Sequence, residues 1–527
     1  MIPNVFIIAD KLPLTPNGKV DKKSLPLKFQ EQTSLSENYV YPRNELENKL
    51  ADIWKELFNL DVISMDDNFF HLGGHSLLIT EMIVKIKKQI NADFPLHAFL
   101  EAPTLANLAG LIESQHISIN PALGNIAKIF ISDTFLDPKI KPLSTSLSVI
   151  ENPKAILLTG ATGYLGVHLL NDLYHLSDAR IYCLIRADDL EEASERLNNV
   201  LSKYKLDKAI TVDNHRVVVI MGDLTKPLLG MNQITFDMLS KEIDYIYHCG
   251  AHVHHIYNYE MLREANVLST LEVVKLATNK KNKRIHYIST LSTVISHAND
   301  HELIVEDFFD EAKLPLDTLS GYAQTKLASE IILAKAHKRG IRVSIYRPSW
   351  IVGHKDTGIC SLENNHLFLL IKGCVQMGCA PKLALKLNML PVDFVSNLIA
   401  QISLNIAKIK FSVFNITTPF TIKWSELYKH INNYGYKVKL VSAIDWQQKY
   451  LAKIDGENAI YPLISLYLKD GGVGWADAQN VFLNVSNYNT KLAMKSLGLN
   501  YMKFDAAILN RYFDFFHRCG FMPLKNM

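Results

Sequence analysis

Residues 159–166 read Thr-Gly-Ala-Thr-Gly-Tyr-Leu-Gly. Before them, bounded by Pro153, lies the apolar run Ala155-Ile156-Leu157-Leu158. After them, Val167-His168-Leu169-Leu170-Asn171-Asp172-Leu173 spaces its apolar residues as a helix does. The order is strand, glycine turn, helix. Gly160, Gly163 and Gly166 permit a tight turn, close approach of backbone to a diphosphate, and close helix–strand contact. The helix start then offers backbone N–H groups and a positive dipole end to phosphates. An ordinary βα turn can look the same, so the weight of this stretch rests on the segments downstream of it.

From Lys154 onward strand-like and helix-like segments alternate, which predicts a parallel sheet. Arg180–Arg186 reads as strand two, Val217–Leu224 as strand three with its turn, and Ile243–His248 as strand four. Arg284–Thr290 reads as strand five and Ile341–Pro348 as strand six. Ligands of open α/β sheets bind at the carboxyl ends of the strands. Those ends here carry Gly222-Asp223-Leu224, Cys249-Gly250-Ala251, Ser289-Thr290 and Arg347-Pro348. An acidic residue after strand two would favour NAD. This chain has Arg186 there, with Arg196 ten residues on, and a guanidinium matches a 2′-phosphate bidentately. NADPH is therefore the expected cofactor; the plainer reading of both arginines is solvated surface charge. The residues expected around it are Thr159, Gly160, Thr162, Gly163, Tyr164, Leu165, Gly166, Arg186, Arg196, Asp223, Leu224, Gly250 and Lys326.

Gly321-Tyr322-Ala323-Gln324-Thr325-Lys326 supplies the chemistry. Tyr322 and Lys326 are four apart, on one helix face. An ammonium beside a phenol favours the phenolate and lowers its pKa, and the phenol can protonate an oxygen that is gaining charge. Taken with the strands and the glycine turn, this pattern resembles the extended short-chain dehydrogenase/reductase family. TGATGYLG, LIRADD (184–189), YISTLS (287–292) and GYAQTK more narrowly resemble the terminal thioester reductase domains of nonribosomal peptide synthetases, carboxylic acid reductases and aminoadipate reductases. The resemblance runs from about residue 140 to the C-terminus. It implies a Rossmann-like doubly wound sheet with a mainly helical substrate subdomain from about residue 355. It also implies a catalytic set of a hydroxyl residue, a tyrosine and a lysine. Tyr322 and Lys326 match; Thr290 is the expected hydroxyl, with Ser289 and Ser292 as alternatives. Asn266 resembles the family's helix asparagine. His252, in a run with His248, His254 and His255, reads as loop lining rather than substrate contact.

Upstream, Leu46, Leu50, Ile53, Trp54, Leu57 and Phe58 recur at helical spacing. Leu78, Met82, Ile83 and Ile86 do so again, as do Leu105, Leu108, Leu111 and Ile112. This predicts a small helical bundle. Between the first two helices lies Phe69-Phe70-His71-Leu72-Gly73-Gly74-His75-Ser76-Leu77. Read locally, Ser76 is a helix N-cap. The whole segment resembles the attachment motif of acyl and peptidyl carrier proteins, in which the serine at Ser76 bears 4′-phosphopantetheine. Gly73-Gly74 separate His71 from His75, so a metal site there is not expected, nor one elsewhere. Lys11–Asp21, KLPLTPNGKVD, taken alone is a turn-rich loop. It resembles the last motif of adenylation domains, whose lysine, here Lys19, contacts the acyl-adenylate. The expected organisation is an adenylation-domain tail at 1–40, a carrier at 41–116, a linker at 117–150 and the reductase at 151–527.

Lys plus Arg number 56 and Asp plus Glu 53, so nothing in the charge marks a nucleic-acid or anionic membrane surface. No apolar run reaches the ~18 residues of a membrane span. The six scattered cysteines read as reduced thiols of a cytoplasmic protein. The resemblances to the carrier and reductase families imply NADPH-dependent reductive release of a carrier-bound acyl or peptidyl thioester as an aldehyde, which some members of the family reduce again to the alcohol. The expected partners are upstream synthetase modules, a phosphopantetheinyl transferase and the acyl thioester, with the chain itself a monomer. The alternatives are a fragment of a carboxylic acid or aminoadipate reductase, a catalytically dead interaction module, and a free-standing sugar epimerase or steroid-type dehydrogenase. Intact Tyr322 and Lys326 argue against the dead module, and the fused carrier argues against the free-standing enzyme.

Overall fold

A computed structural model describes residues 39–523 except 75, 91, 93, 95–98, 100–101, 115–120, 144–149, 207–208, 211–214, 255–256, 298–303, 310–315, 317–318, 364 and 468–484. The chain divides into two compact units, Met1–Asn120 and Pro121–Met527. The adenylation-like stretch, Lys19 included, lies outside the described residues.

In the first unit α1 spans Glu45–Phe58, α2 Ser76–Ile90 and α3 Leu105–Ser114. Asn44 caps α1 by accepting the Glu47 N–H, and Asn59 ends it in a left-handed conformation. Leu50, Ile53, Trp54, Ile79, Met82, Ile86, Leu105 and Leu108 form one core, as their spacing predicts. Phe69 packs edge-on against Trp54, Phe58 and Phe99. The first Phe of the motif thus anchors the loop that leads to Ser76, and Phe70 beside it is exposed. The expected bundle has four helices, of which α1, α2 and α3 lie among the described residues.

The second unit opens with a helix, α4, Pro121–Asp133. The sheet strands then alternate with helices: β1 Ala155–Thr159, α5 Tyr164–Leu176, β2 Arg180–Ile185, α6 Leu190–Lys203, β3 Val217–Met221, α7 Gln233–Glu242 and β4 Tyr245–His248. Next come α8 Tyr259–Arg263 and a π-helical turn at Glu264–Leu268, which runs into α9 Ser269–Thr278. β5 Arg284–Ile288, α10 Gly321–Lys338 and β6 Val343–Pro348 complete the alternation. Two later elements return to this body: α11 Val392–Leu404 and β7 Val413–Ile416. The main sheet has seven parallel strands in the order β7-β6-β5-β4-β1-β2-β3. The six expected strands are present, and β7 adds a seventh beside β6.

β1, β4 and β6 are buried along their whole length, and β1 accordingly shows the continuous apolar run Ala155-Ile156-Leu157-Leu158. Helices cover both faces, the doubly wound arrangement. One core holds Phe236, Leu239, Val273, Leu327 and Ile331; the other holds Val167, Leu170, Leu197, Val395 and Ile399. Among the described residues no helix is long and apolar enough to cross a membrane.

The stretch read as a linker and lead-in to the next domain joins the reductase unit over much of its length. From Pro121 it belongs to the reductase unit. Ile126, Phe130 and Leu136 enter its core. Asp133 accepts two bonds from Arg263, at 2.8 and 2.5 Å, and one from Tyr259 at 2.9 Å. Arg339 donates to the carbonyls of Leu136, Asp137 and Ile140, and Lys335 to that of Thr134. Prolines and mixed polar residues disguised a strap held in part through its own backbone carbonyls, which leave no mark on side-chain patterning.

Candidate active site

The site gathers where β1, β2, β3, β4 and β5 end. In the glycine turn, Gly160 sits at φ +74°, and a Cβ on it would lie 2.6 Å from the Cα and N of Gly250. The β1 turn and the β4 turn therefore touch backbone to backbone. Thr159 fastens them further. Its hydroxyl accepts the Gly250 N–H at 3.0 Å and lies 2.8 Å from His248 Nδ1. His248 Nε2 is 3.3 Å from Ser269 Oγ, which donates to the Ala265 carbonyl at 2.6 Å. These partners fit one tautomer, with Nδ1 accepting from Thr159 and Nε2–H donating to Ser269. Burial, and secondarily the Lys326 charge, pull His248 down to about 3, so it stays neutral.

The residues suit a dinucleotide. α5 starts at Gly163, and no side chain caps it. Gly163 itself is exposed, and a Cβ there would meet only the Gly160 carbonyl, at 3.2 Å. The helix start thus presents backbone N–H groups at an open surface. Arg186 is exposed at the end of β2, and Arg196 donates to the Arg186 carbonyl while lying 3.9 Å from Glu192. Burial would raise the Asp223 carboxyl, but bonds from Thr225 and the charges of Arg186 and Lys226 outweigh it and hold it low. Arg186 and Asp223 are thus neighbours at the ends of β2 and β3. Leu224 reaches across to Gly250, where a Cβ would sit 2.7 Å from its Cδ1.

Two residues expected at the cofactor turn their side chains away from it. Thr159 is fully buried in the His248 chain. Tyr164 donates its phenol to the Val352 and Ile359 carbonyls, at 2.9 and 3.2 Å. Only their backbones remain for a ligand.

On α10, capped by Ser320 through the Ala323 N–H, Tyr322 and Lys326 face the β4 and β5 ends. Lys326 is buried, donates to the Ile288 carbonyl at 2.7 Å and lies 4.5 Å over the Tyr287 ring. Burial lowers it to about 8, with Cys249 and Glu330 pulling the other way. The expectation that Lys326 lowers the Tyr322 pKa is not met. Burial, and then Cys249, raise it, and the lysine is turned to the Ile288 carbonyl. Cys249 thus stands beside both residues, itself raised to about 11 by burial.

Thr290 begins two residues past the carbonyl that Lys326 grips. Its Oγ1 accepts the Ser292 N–H at 3.2 Å and lies 3.3 Å from Ser292 Oγ. Ser289 is buried and donates to Glu330. That commitment removes it from the candidates and leaves Thr290 and Ser292. Asn266, in the π-helical turn, accepts the His252 N–H at 2.7 Å, and donates to the His252 carbonyl at 3.1 Å and to Thr325 Oγ1 at 3.0 Å. It pins the β4 loop to α10. The His252 side chain is exposed on that loop.

Sequence reading missed Glu330 and its pairing with Arg347, at 2.5 Å with neither side chain exposed. The available signals were a carboxylate eight residues after Tyr322 on the same helix and an arginine inside the apolar β6. His354, Asp356 and Asp393 bring possible ligand atoms within 4.8 Å of one another. There, however, His354 Nδ1 accepts the Asp356 and Thr357 N–H groups, and Lys355 lies 3.2 Å from Asp393.

Residues 158–399 match the family described as Male sterility protein, and residues 48–112 the family described as Phosphopantetheine attachment site. The chain is similar to a linear gramicidin synthase of Brevibacillus parabrevis, at 34% identity over 99% of this chain and 10% of that protein. It is similar to the L-2-aminoadipate reductase of Saccharomyces cerevisiae, at 31% identity over 89% of this chain and 36% of that protein. It therefore spans a small part of the length of these curated relatives. Among solved structures, it resembles the terminal R domain from the myxalamid PKS-NRPS biosynthetic pathway, with TM-score 0.63 and 31% identity over 75% of this chain and 99% of that one. A thiolation-reductase di-domain from an archaeal non-ribosomal peptide synthetase shares the fold, with TM-score 0.69 and 23% identity over 92% of this chain and 99% of that one.

Proposed function

We propose a function from one premise: the chain belongs to the terminal reductase domains of nonribosomal peptide synthetases, here joined to a phosphopantetheine carrier domain. On this reading, Ser76 carries the phosphopantetheine arm after modification by a transferase, and upstream modules supply the acyl or peptidyl group. The reductase unit releases that group as an aldehyde. A fragment of an aminoadipate-type reductase is the second reading, favoured by the likeness to the yeast enzyme.

The observation that carries the proposal is the placing of Lys326. It is buried, bonded at the end of β5, and one helical turn from Tyr322. When bound, NADPH supplies hydride to the thioester carbon. The glycine turn and the start of α5 would hold its diphosphate, and Arg186 with Arg196 its 2′-phosphate. Lys326 would hold the nicotinamide ribose. The Tyr322 phenol is protonated at neutral pH, as a phenol ordinarily is, and burial raises its pKa further. It is therefore a donor to the carbonyl oxygen as negative charge gathers there, the role a reduction requires. Thr290 is the second donor. The same residues can serve a further reduction of the aldehyde to the alcohol.

The test is NADPH consumption by the full chain with a phosphopantetheine-type acyl thioester, beside a fluorescence titration of NADPH. Tyr322→Phe keeps the ring and removes the proton, so turnover should fall by ~10²–10⁴ with cofactor binding intact. Lys326→Ala should damage both, and Thr290→Ala should cost less than Tyr322→Phe. A Tyr322→Phe enzyme that reduces thioester at near the wild-type rate would overturn the assignment.

A further inference from the structure

The residues flanking Thr290 converge on one carboxylate. Ser289 Oγ donates to Glu330 Oε1. Thr293 Oγ1 shares its one proton between the Thr290 carbonyl, at 2.9 Å, and that same carboxylate oxygen, at 3.3 Å. Glu330 sits on α10 eight residues past Tyr322 and four past Lys326, so the three share one helix face. Its charge is balanced by Arg347 of β6, whose Nε lies 3.1 and 3.0 Å from the two carboxylate oxygens. Arg347 also donates to the Asp307 carbonyl at 3.0 Å and lies 4.1 Å over the Phe309 ring.

A buried ion pair is a poor source of stability, because desolvation offsets the attraction and apolar residues of the same volume serve as well or better. What apolar residues cannot supply is a directional acceptor. Here the acceptor takes up hydroxyls on both sides of Thr290 in the sequence. We infer that Glu330 is a positioning residue: its carboxylate holds Ser289 and Thr293, and so fixes Thr290 relative to Tyr322 and Lys326 on its own helix. Arg347 compensates the carboxylate charge at that depth. The inference rests on the function proposed above and adds the part that sets the geometry of the donor pair.

The experiment uses the full chain with its arm attached. Replacing Glu330 would strand Arg347, so the variants leave the ion pair alone. Ser289→Ala with Thr293→Val removes the two hydroxyl donors. The expected result is a fall in kcat of about ten- to a hundredfold, the scale of a misplaced reacting group. NADPH affinity should stay at the wild-type value, while the melting temperature should fall by only about 2–6 °C, the loss of hydrogen bonds to a buried carboxylate. Thr293→Ser, which keeps the hydroxyl, should restore the rate. The deciding measurement is a cycle with Thr290→Ala. If Glu330 acts through Thr290, the two substitutions cost nothing further once Thr290 has lost its hydroxyl. Additive losses in that background, or wild-type kcat in the double variant, overturn the inference. If the double variant is unstable, each single variant goes through the same cycle with the same two outcomes. A wild-type chain that does not consume NADPH with thioester would instead sink the proposed function, so the two failures are distinct.

Discussion

The three glycines of the turn should fail in different ways when each is replaced by alanine, and the structure ranks them. At Gly160 two costs add. The residue sits at φ +74°, a left-handed conformation that costs an alanine roughly 1–2 kcal/mol. The new methyl would also lie 2.6 Å from the backbone of Gly250, and overpacking of that kind costs about 1–3 kcal/mol. The sum is about 2–5 kcal/mol, which at ~2 °C per kcal/mol in a large domain is a fall of roughly 4–10 °C in Tm. At Gly166 the backbone is helical, but a methyl would fall 1.9 Å from the Gly160 carbonyl oxygen. The turn itself must move, at a cost of about 1–3 kcal/mol or more. At Gly163 the only neighbour is that same oxygen, at 3.2 Å, and the residue is exposed at φ −80°. Alanine there should leave Tm within a degree or two of wild type, since a compatible Gly→Ala change even gains about 0.4–1 kcal/mol through the unfolded chain. Its methyl stands instead where the diphosphate would approach, so NADPH binding should weaken. Thermal unfolding and NADPH titration, run side by side, separate the two effects. The reasoning fails if Gly163→Ala destabilises the fold as much as Gly160→Ala, or if Gly160→Ala melts at the wild-type temperature.

Other changes test other parts of the molecule. Arg186→Ala should weaken NADPH by about ten- to a hundredfold, the value of one charge-assisted hydrogen bond, with little effect on NADH; equal losses for both cofactors would remove the 2′-phosphate role. Incubation with coenzyme A and a broad-specificity phosphopantetheinyl transferase should add one arm to the wild-type mass, while Ser76→Ala should gain nothing. His248 and His168 are held neutral in the fold, at about 3 and about 4, both by burial first. Both values lie below the unfolded one of 6.5, so the stability they secure is complete above that pH. It is lost as pH falls toward the folded values, by roughly 1.4 kcal/mol per pH unit for each histidine. Asp172, raised to about 6 by burial, works in the opposite sense over part of that range. The clean measurement is therefore a difference: between pH 6.5 and 5, His168→Gln should lose less Tm than wild type, and equal slopes would refute the assignment.

The sheet was legible because β1, buried on both faces, leaves an unbroken apolar run before the glycine turn, and strand-like and helix-like segments alternate after it. Tyr322 and Lys326 were legible because helical spacing is local. Thr290 was harder to choose. Three hydroxyl residues crowd the end of β5, and only the contact between Ser289 and Glu330, 41 positions apart, removes one of them. The same distance hid Thr159, which sits in the glycine signature but spends its hydroxyl on His248, 89 residues away. The tuning of Tyr322 misled for a different reason. Spacing places an ammonium near a phenol, but it cannot tell how deeply both are buried, and here desolvation prevails over charge.

The strap from α4 to Ile140 bears on how this reductase can be moved between assembly lines. A graft spliced at residue 150, where the composition invites the cut, would leave Arg263 and Tyr259 without the Asp133 carboxylate, and Arg339 without its three carbonyls. It would also uncover the surface that Phe130 and Leu136 close. The transplantable piece begins at Pro121, so a chimaera that keeps the carrier of one synthetase and the reductase of another has its seam upstream of that proline.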